Sequence, residues 1–196
     1  MERPMNSSID STLVARPNRR SARPAGTRIE SAVLAMVLLL MSESMLFAGL
    51  LAACVLVRSR TMEFWPPMDL PRLPWPVTLG TTLALLATVP LVAAGRQRRS
   101  GPLLFIAAIL GGCFLVIHSV EWIRMLAWHG VAGSYGAIFY SLVGVHALHV
   151  IGGLAALIWA TSTMDHPNSM LRLKVCGMYW YFVVAVWPVI YGLVYH

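Results

Sequence analysis

Charge is what this chain has least of. Asp, Glu, Lys and Arg make up 12% of its 196 residues, while 58% are hydrophobic. A soluble domain carries about 25% charged residues. The mean hydropathy of +0.69 agrees that most of the chain never meets water. Cysteine is sparse as well. Cys54, Cys113 and Cys176 show no C-x-x-C spacing and sit in or beside apolar stretches. They read as small apolar core residues rather than a metal or disulfide framework. No internal repeat is visible, and the length suits one domain.

Acidic residues are few, and the net charge is +7. That balance does not point to nucleic acid. Six of the fifteen basic residues (Arg3, Arg16, Arg19, Arg20, Arg23, Arg28) lie in the first 28 positions, and most of the others flank apolar runs. Such a distribution is membrane topology. Residues 1–29, rich in Ser, Arg and Pro, read as a disordered basic tail. Their composition resembles a transit peptide, but the following apolar run is longer than a signal-peptide core. Leu51-Ala52-Ala53-Cys54 mimics a lipoprotein cleavage box, yet lies too far into the chain.

Five apolar segments follow, at about 31–57, 75–95, 102–127, 135–162 and 173–195. Each is near the ~20 residues that span a bilayer as a helix. Backbone polar groups inside lipid must be satisfied within the structure, which leaves helices or closed barrels, and uninterrupted runs select helices. The prediction is an all-α membrane bundle of five helices over 30–196. The longest connection, 58–74, holds Trp65-Pro66-Pro67, Pro71 and Pro74, and reads as an ordered interfacial cap. With the N-terminus inside, the inner segments hold eleven basic residues and the outer ones only Arg58, Arg60, Arg72 and Arg124. The positive-inside rule thus places the N-terminus inside and the C-terminus outside.

Polar residues within the spans are the informative ones. Glu43 lies in the middle of the first span, roughly 18 Å along its helix. A carboxylate there costs about 2.5–3.5 kcal/mol on insertion scales. It must carry a proton or face a polar partner. His146 and His149 lie three apart in the fourth span, at a similar depth. They could be metal or haem ligands, since imidazole is the commonest metal ligand. They could equally be helix–helix hydrogen-bond partners. A metal site needs further ligands at the same level. Glu43 offers one, Cys113 matches in depth alone, and no second helix offers a His there. The balance favours helix–helix bonding, with Glu43 close to His146 or His149. His118, Glu121 and Arg124 form a second polar group near the outer end of the third span. Glu121 with Arg124 reads as an interfacial ion pair extended by His118, or as a proton exit relay. Gly111, Gly112, Gly133, Gly136, Gly144, Gly152 and Gly153 mark places for close helix approach.

These residues resemble subunit III of haem–copper oxidases (cytochrome c and quinol oxidases) over about 30–196. Ser42-Glu43 with Leu46-Phe47-Ala48-Gly49, Trp65-Pro66-Pro67, Leu85-Leu86-Ala87-Thr88, Glu121-Trp122, Tyr135-Gly136 with Gly144-Val145-His146-Ala147-Leu148-His149-Val150, and Tyr179-Trp180 with Trp187 and Tyr191 follow the family's order and spacing. Departures are Tyr181 and Val184, where the family has His and Asp, and Thr81-Thr82, where it has Asn-Thr. The long form of the family has two further N-terminal helices, so the likeness is to the five-helix bacterial form. The resemblance implies a multi-pass protein of the bacterial cytoplasmic membrane with no catalytic residues and no haem, copper or other metal of its own. It implies packing against catalytic subunit I, which bears the haems and copper, and contact with other oxidase subunits. It also implies bound phospholipid and a part in proton uptake, with Glu43, His146 and His149 as structural polar groups. The complex would reduce oxygen to water and translocate protons, with cytochrome c the commoner donor. Two other readings stand beside it: an accessory membrane protein of a nitric oxide reductase, and an unrelated transporter or haem-binding protein. Pro90 and Pro188 interrupt helices, but not at the corresponding places that a repeat-built transporter would show.

Overall fold

A computed structural model describes residues 25–60, 74–127 and 134–195. Within them the chain is helical apart from short turns. The helices are α1 (Ala25–Arg60), α2 (Trp75–Arg98), α3 (Gly101–Ala127), α4 (Ser134–Ser162) and α5 (Ser169–Tyr195). All five are long and apolar enough to cross a membrane.

The expected apolar runs lie inside these helices, but several helices outrun them. α1 begins at Ala25, inside the stretch 1–29 that the sequence reads as a tail. After Pro24 nothing breaks a helix, and Gly26 costs only about 1 kcal/mol. Residues 1–24 lie outside the described residues, as does the expected interfacial cap over 61–73. Likewise α2 continues through Arg96 and Arg98, and α5 starts at Ser169 rather than 173. Polar ends can stay helical where side chains reach water, so hydropathy underestimates helix length.

The helices α2, α3, α4 and α5 close into a ring, each packed on the next, while α1 lies outside against α4 and α5. The core is built on α5. Trp180 and Trp187, seven residues apart and so on one face, are both fully buried. Each indole N–H donates to a threonine on α2: Trp180 to Thr88 Oγ1 at 2.9 Å and Trp187 to Thr82 Oγ1 at 2.9 Å. The threonine hydroxyls in turn donate hydrogen bonds to carbonyls one turn back, Thr88 to Leu85 at 2.6 Å and Thr82 to Thr78 at 2.7 Å. Every polar atom in these knots is therefore satisfied without water, as a lipid-embedded core requires.

The turns are equally specific. Arg99 adopts φ 50°, ends α2, and with Ser100 turns the chain into α3. Its guanidinium reaches across to Ser169 Oγ at 3.0 Å, tying this turn to the start of α5. At the opposite end of the bundle, the Tyr135 hydroxyl donates to the Val194 carbonyl at 3.2 Å. α1 has a thin seam by comparison. Phe47 and Cys54, seven apart, are its buried hydrophobic residues, with Leu50 and Leu51 partly buried beside them. Leu34, Leu38, Met41, Met45 and Val55 are exposed on it.

Candidate functional site: a polar file between α1, α4 and α3

Glu43 on α1 and His149 on α4 meet at the seam between these helices. The distance from His149 Nε2 to Glu43 Oε2 is 2.8 Å. The other ring nitrogen, Nδ1, faces the Val145 carbonyl one turn back at 2.7 Å. The pair is not sealed: side-chain exposure is 13% for His149 and 24% for Glu43. Phe47 packs edge-on against His149, with ring centroids 5.0 Å apart, and Tyr179 of α5 stacks on the imidazole at 6.5 Å.

The expected nearness of Glu43 to a histidine is thus realised with His149 and not with His146. Positions three apart on a helix differ by about 60° around its axis. That rotation sends His149 toward α1 and His146 into the four-helix ring. His146 is 1% exposed and lies flat against Trp187, with ring centroids 5.1 Å apart and Phe114 edge-on at 6.3 Å. Neither of its nitrogens has a hydrogen-bond partner among the described residues.

His118 on α3 also packs on Trp187, edge to face with ring centroids 4.8 Å apart. Its Nδ1 bonds the Phe114 carbonyl at 3.0 Å, while Nε2 has no partner among the described residues. Glu121 is buried one turn further on, whereas Arg124 is exposed. The three residues predicted as one outer cluster therefore divide, two turned into the bundle and one outward.

Between α3 and α4, beside His118 and His146, runs a groove of ≈ 460 Å³ walled by Phe114, Trp122, Tyr140 and Trp187. Exposed Leu148 and Ile151 line it too, so it opens sideways. Among the described residues no Asp, Glu, Lys or Arg lines it. Among the described residues no three His, Cys, Asp or Glu side chains gather as a metal ion would require. Cys113 faces outward from α3, away from the histidines.

Sequence reasoning missed the two tryptophan–threonine knots that hold this file in place. A signal was present: Trp180 and Trp187 recur at seven residues on α5, and α2 carries Thr78, Thr81, Thr82 and Thr88 within an otherwise apolar run. All four threonines are buried. At Tyr181 the hydroxyl is buried with no partner among the described residues, and Val184 is buried among apolar neighbours.

Comparison with known proteins places the chain. The sequence pattern of the family described as cytochrome c oxidase subunit III matches residues 26–196. A probable cytochrome c oxidase subunit 3 of Mycobacterium leprae is 33% identical over 178 residues, which is 81% of this chain and 84% of that protein. Its counterpart in Nocardia farcinica is 30% identical, covering 81% of this chain and 84% of the relative. A cytochrome c oxidase subunit 3 of Synechocystis is 30% identical over 81% of this chain and 72% of its own length.

Proposed function

The chain belongs to the cytochrome c oxidase subunit III family, and from that premise we propose that it is a non-catalytic membrane subunit of a terminal oxidase that draws electrons from cytochrome c. The single observation that carries this reading is the family match across every described helix. The enzyme of which it forms part reduces oxygen to water and translocates protons. The haems and copper reside in catalytic subunit I, against which this chain packs, and other oxidase subunits complete the assembly.

In this reading the chain sits in the bacterial cytoplasmic membrane with its N-terminus inside. The clustering of eleven basic residues on one side supports that orientation. Phospholipid fills its outward-facing apolar surfaces. Glu43, His146 and His149 support the proton-uptake side of the enzyme as buried polar groups rather than as ligands. The position of Glu43 in the middle of α1 and its bond to His149 favour that role. His118 and Glu121 are polar groups held within the bundle toward the other membrane face, with Arg124 exposed beside them.

Membranes from cells that lack the chain test the proposal, with oxygen uptake followed on reduced cytochrome c. The expected result is uptake that is lower, or that decays sooner during turnover, than in parent membranes, and that returns when the chain is restored. Uptake equal in rate and durability with and without the chain contradicts the proposal.

A further inference from the structure

Two grooves of similar size lie between α3 and α4, and their polar atoms differ. One, of ≈ 400 Å³, is walled by Leu104, Phe105 and Ile109 of α3 and Ile158 of α4. Its two hydroxyls are committed: Thr161 donates to the Leu157 carbonyl at 2.7 Å and Ser162 to the Trp159 carbonyl at 3.0 Å. An acyl chain would leave nothing in it unmet. The other is the groove of ≈ 460 Å³ beside His118 and His146. Its hydroxyls are committed too, Ser119 to the Leu115 carbonyl at 2.7 Å, Ser141 to that of Ala137 at 2.8 Å and Tyr140 to that of Trp122 at 3.5 Å. Three ring nitrogens are not. His118 Nε2 and both nitrogens of His146 are buried with no partner among the described residues.

These nitrogens define what the groove would accept. A carbonyl oxygen only accepts, so the 3.0 Å contact of His118 Nδ1 with the Phe114 carbonyl puts the ring hydrogen on Nδ1. In surroundings this apolar the ring is neutral, and Nε2 bears a lone pair. His146, neutral for the same reason, has one N–H and one lone pair. The matching group therefore gives one hydrogen and accepts another, which a hydroxyl does. A phosphate headgroup would want a cation, and no Lys or Arg lines the groove among the described residues. A metal ion would want a third ligand, and no such set gathers among them. A bare acyl chain would leave all three nitrogens unmet, which is costly for buried polar atoms. The walls add shape. Phe114, Trp122 and Trp187 offer aromatic surfaces to a flat ring, and exposed Leu148 and Ile151 give an apolar tail a way out into lipid.

We propose that this groove binds a membrane-dissolved ring alcohol, a phenol or quinol head on an apolar tail. The ring lies among Phe114, Trp122 and Trp187. Its hydroxyl donates to His118 Nε2 and accepts the N–H of His146, and the tail leaves past Leu148 and Ile151. Gly144 keeps the space open, since a Cβ there would meet only Trp122, at 3.8 Å. The ligand is held and not turned over. The site is additional to the oxidase role proposed above and does not depend on it.

The test is equilibrium binding of a radiolabelled decyl-benzoquinol to the purified full chain in dioleoyl phosphatidylcholine nanodiscs, repeated on the chain in its complex. Saturable binding is expected in both. Ile109→Phe, which fills the other groove, leaves it unchanged, and Gly144→Leu, which fills this one, abolishes it. His118→Phe keeps the ring shape, removes the acceptor and weakens binding about tenfold or more. Oxidising the probe to the quinone, which has no hydrogen to give, does the same. Should Gly144→Leu fail to fold by circular dichroism, His118→Phe and the quinone carry the test. A para-decylphenol that binds as tightly as the quinol assigns the site to single-hydroxyl ring lipids, and a weaker one assigns it to quinols. No saturable binding, or equal binding of quinol and quinone by the parent and His118→Phe, overturns the proposal. Binding by the chain alone and not by the complex also overturns it, because the groove then belongs to a partner subunit.

Discussion

Trp180 of α5 occupies the space that Gly111 of α3 leaves open: a Cβ on Gly111 would lie 2.7 Å from the indole ring. Gly153 of α4 makes room on another side, where a Cβ would lie 2.9 Å from the same ring. With its N–H on Thr88 of α2, one side chain joins four helices. Large rings seated on small residues are how membrane bundles gain contact area without a hydrophobic driving force between helices. Substituting alanine at Gly111 or Gly153 is expected to cost about 1–3 kcal/mol through overpacking. At Gly112, where nothing lies within 4 Å, alanine is expected to be neutral. Thermal unfolding of the three variants in one detergent checks the contrast.

The Trp187–Thr82 bond invites a similar comparison. Thr82→Val keeps the shape of the side chain and removes the acceptor for the indole N–H. Interhelical hydrogen bonds in membrane proteins average about 0.6 kcal/mol and reach about 1.7. A loss within that range is expected for Thr82→Val, and no further loss when Trp187→Phe is added beyond that of Trp187→Phe alone. A double-mutant cycle on unfolding free energies measures this directly.

His146 carries the opposite expectation. Both of its nitrogens are buried without a partner among the described residues, against Trp187 and Phe114. Such a polar group lowers stability when compared with an apolar ring of similar shape. His146→Phe is therefore expected to unfold no earlier than the parent. A marked loss of stability, or a lost visible absorbance in the assembled complex, would show that the imidazole has a ligand role.

Much of this arrangement is legible in the sequence, and the reasons for the rest are geometric. Five spans follow from hydropathy because lipid imposes a length and a composition on each helix. Matched depth brings Glu43 to the histidines because rise per residue is fixed. Depth does not choose between His146 and His149, since that depends on where α1 sits around α4, and α1 lies outside the ring rather than in it. The same limit applies to Glu121 and Arg124. Spacing puts them within one turn, while burial of the first and exposure of the second follow from neighbours that no local pattern encodes. The start of α1 at Ala25 escapes hydropathy because its first turns are polar.

The turn at Arg99 is also open to experiment. Its φ of 50° is a conformation that costs an L-residue about 1–2 kcal/mol, and its side chain bonds Ser169 Oγ at 3.0 Å. Ser169→Ala removes the bond and keeps the backbone, so a small loss, below about 1 kcal/mol, is expected. Arg99→Gly removes both the bond and the strain, and is expected to unfold no earlier than Ser169→Ala. Unfolding midpoints of the two variants decide it.

Whether this chain is an oxidase subunit without redox groups of its own is decided by affinity purification from mild-detergent membranes. Mass spectrometry, a visible spectrum and oxygen consumption are read on the same eluate. A copurifying haem-bearing catalytic subunit, an oxidase spectrum and oxygen uptake are expected, with no Soret absorbance when this chain is expressed alone. A nitric oxide reductase in the eluate, or a haem spectrum from the chain by itself, would contradict that role.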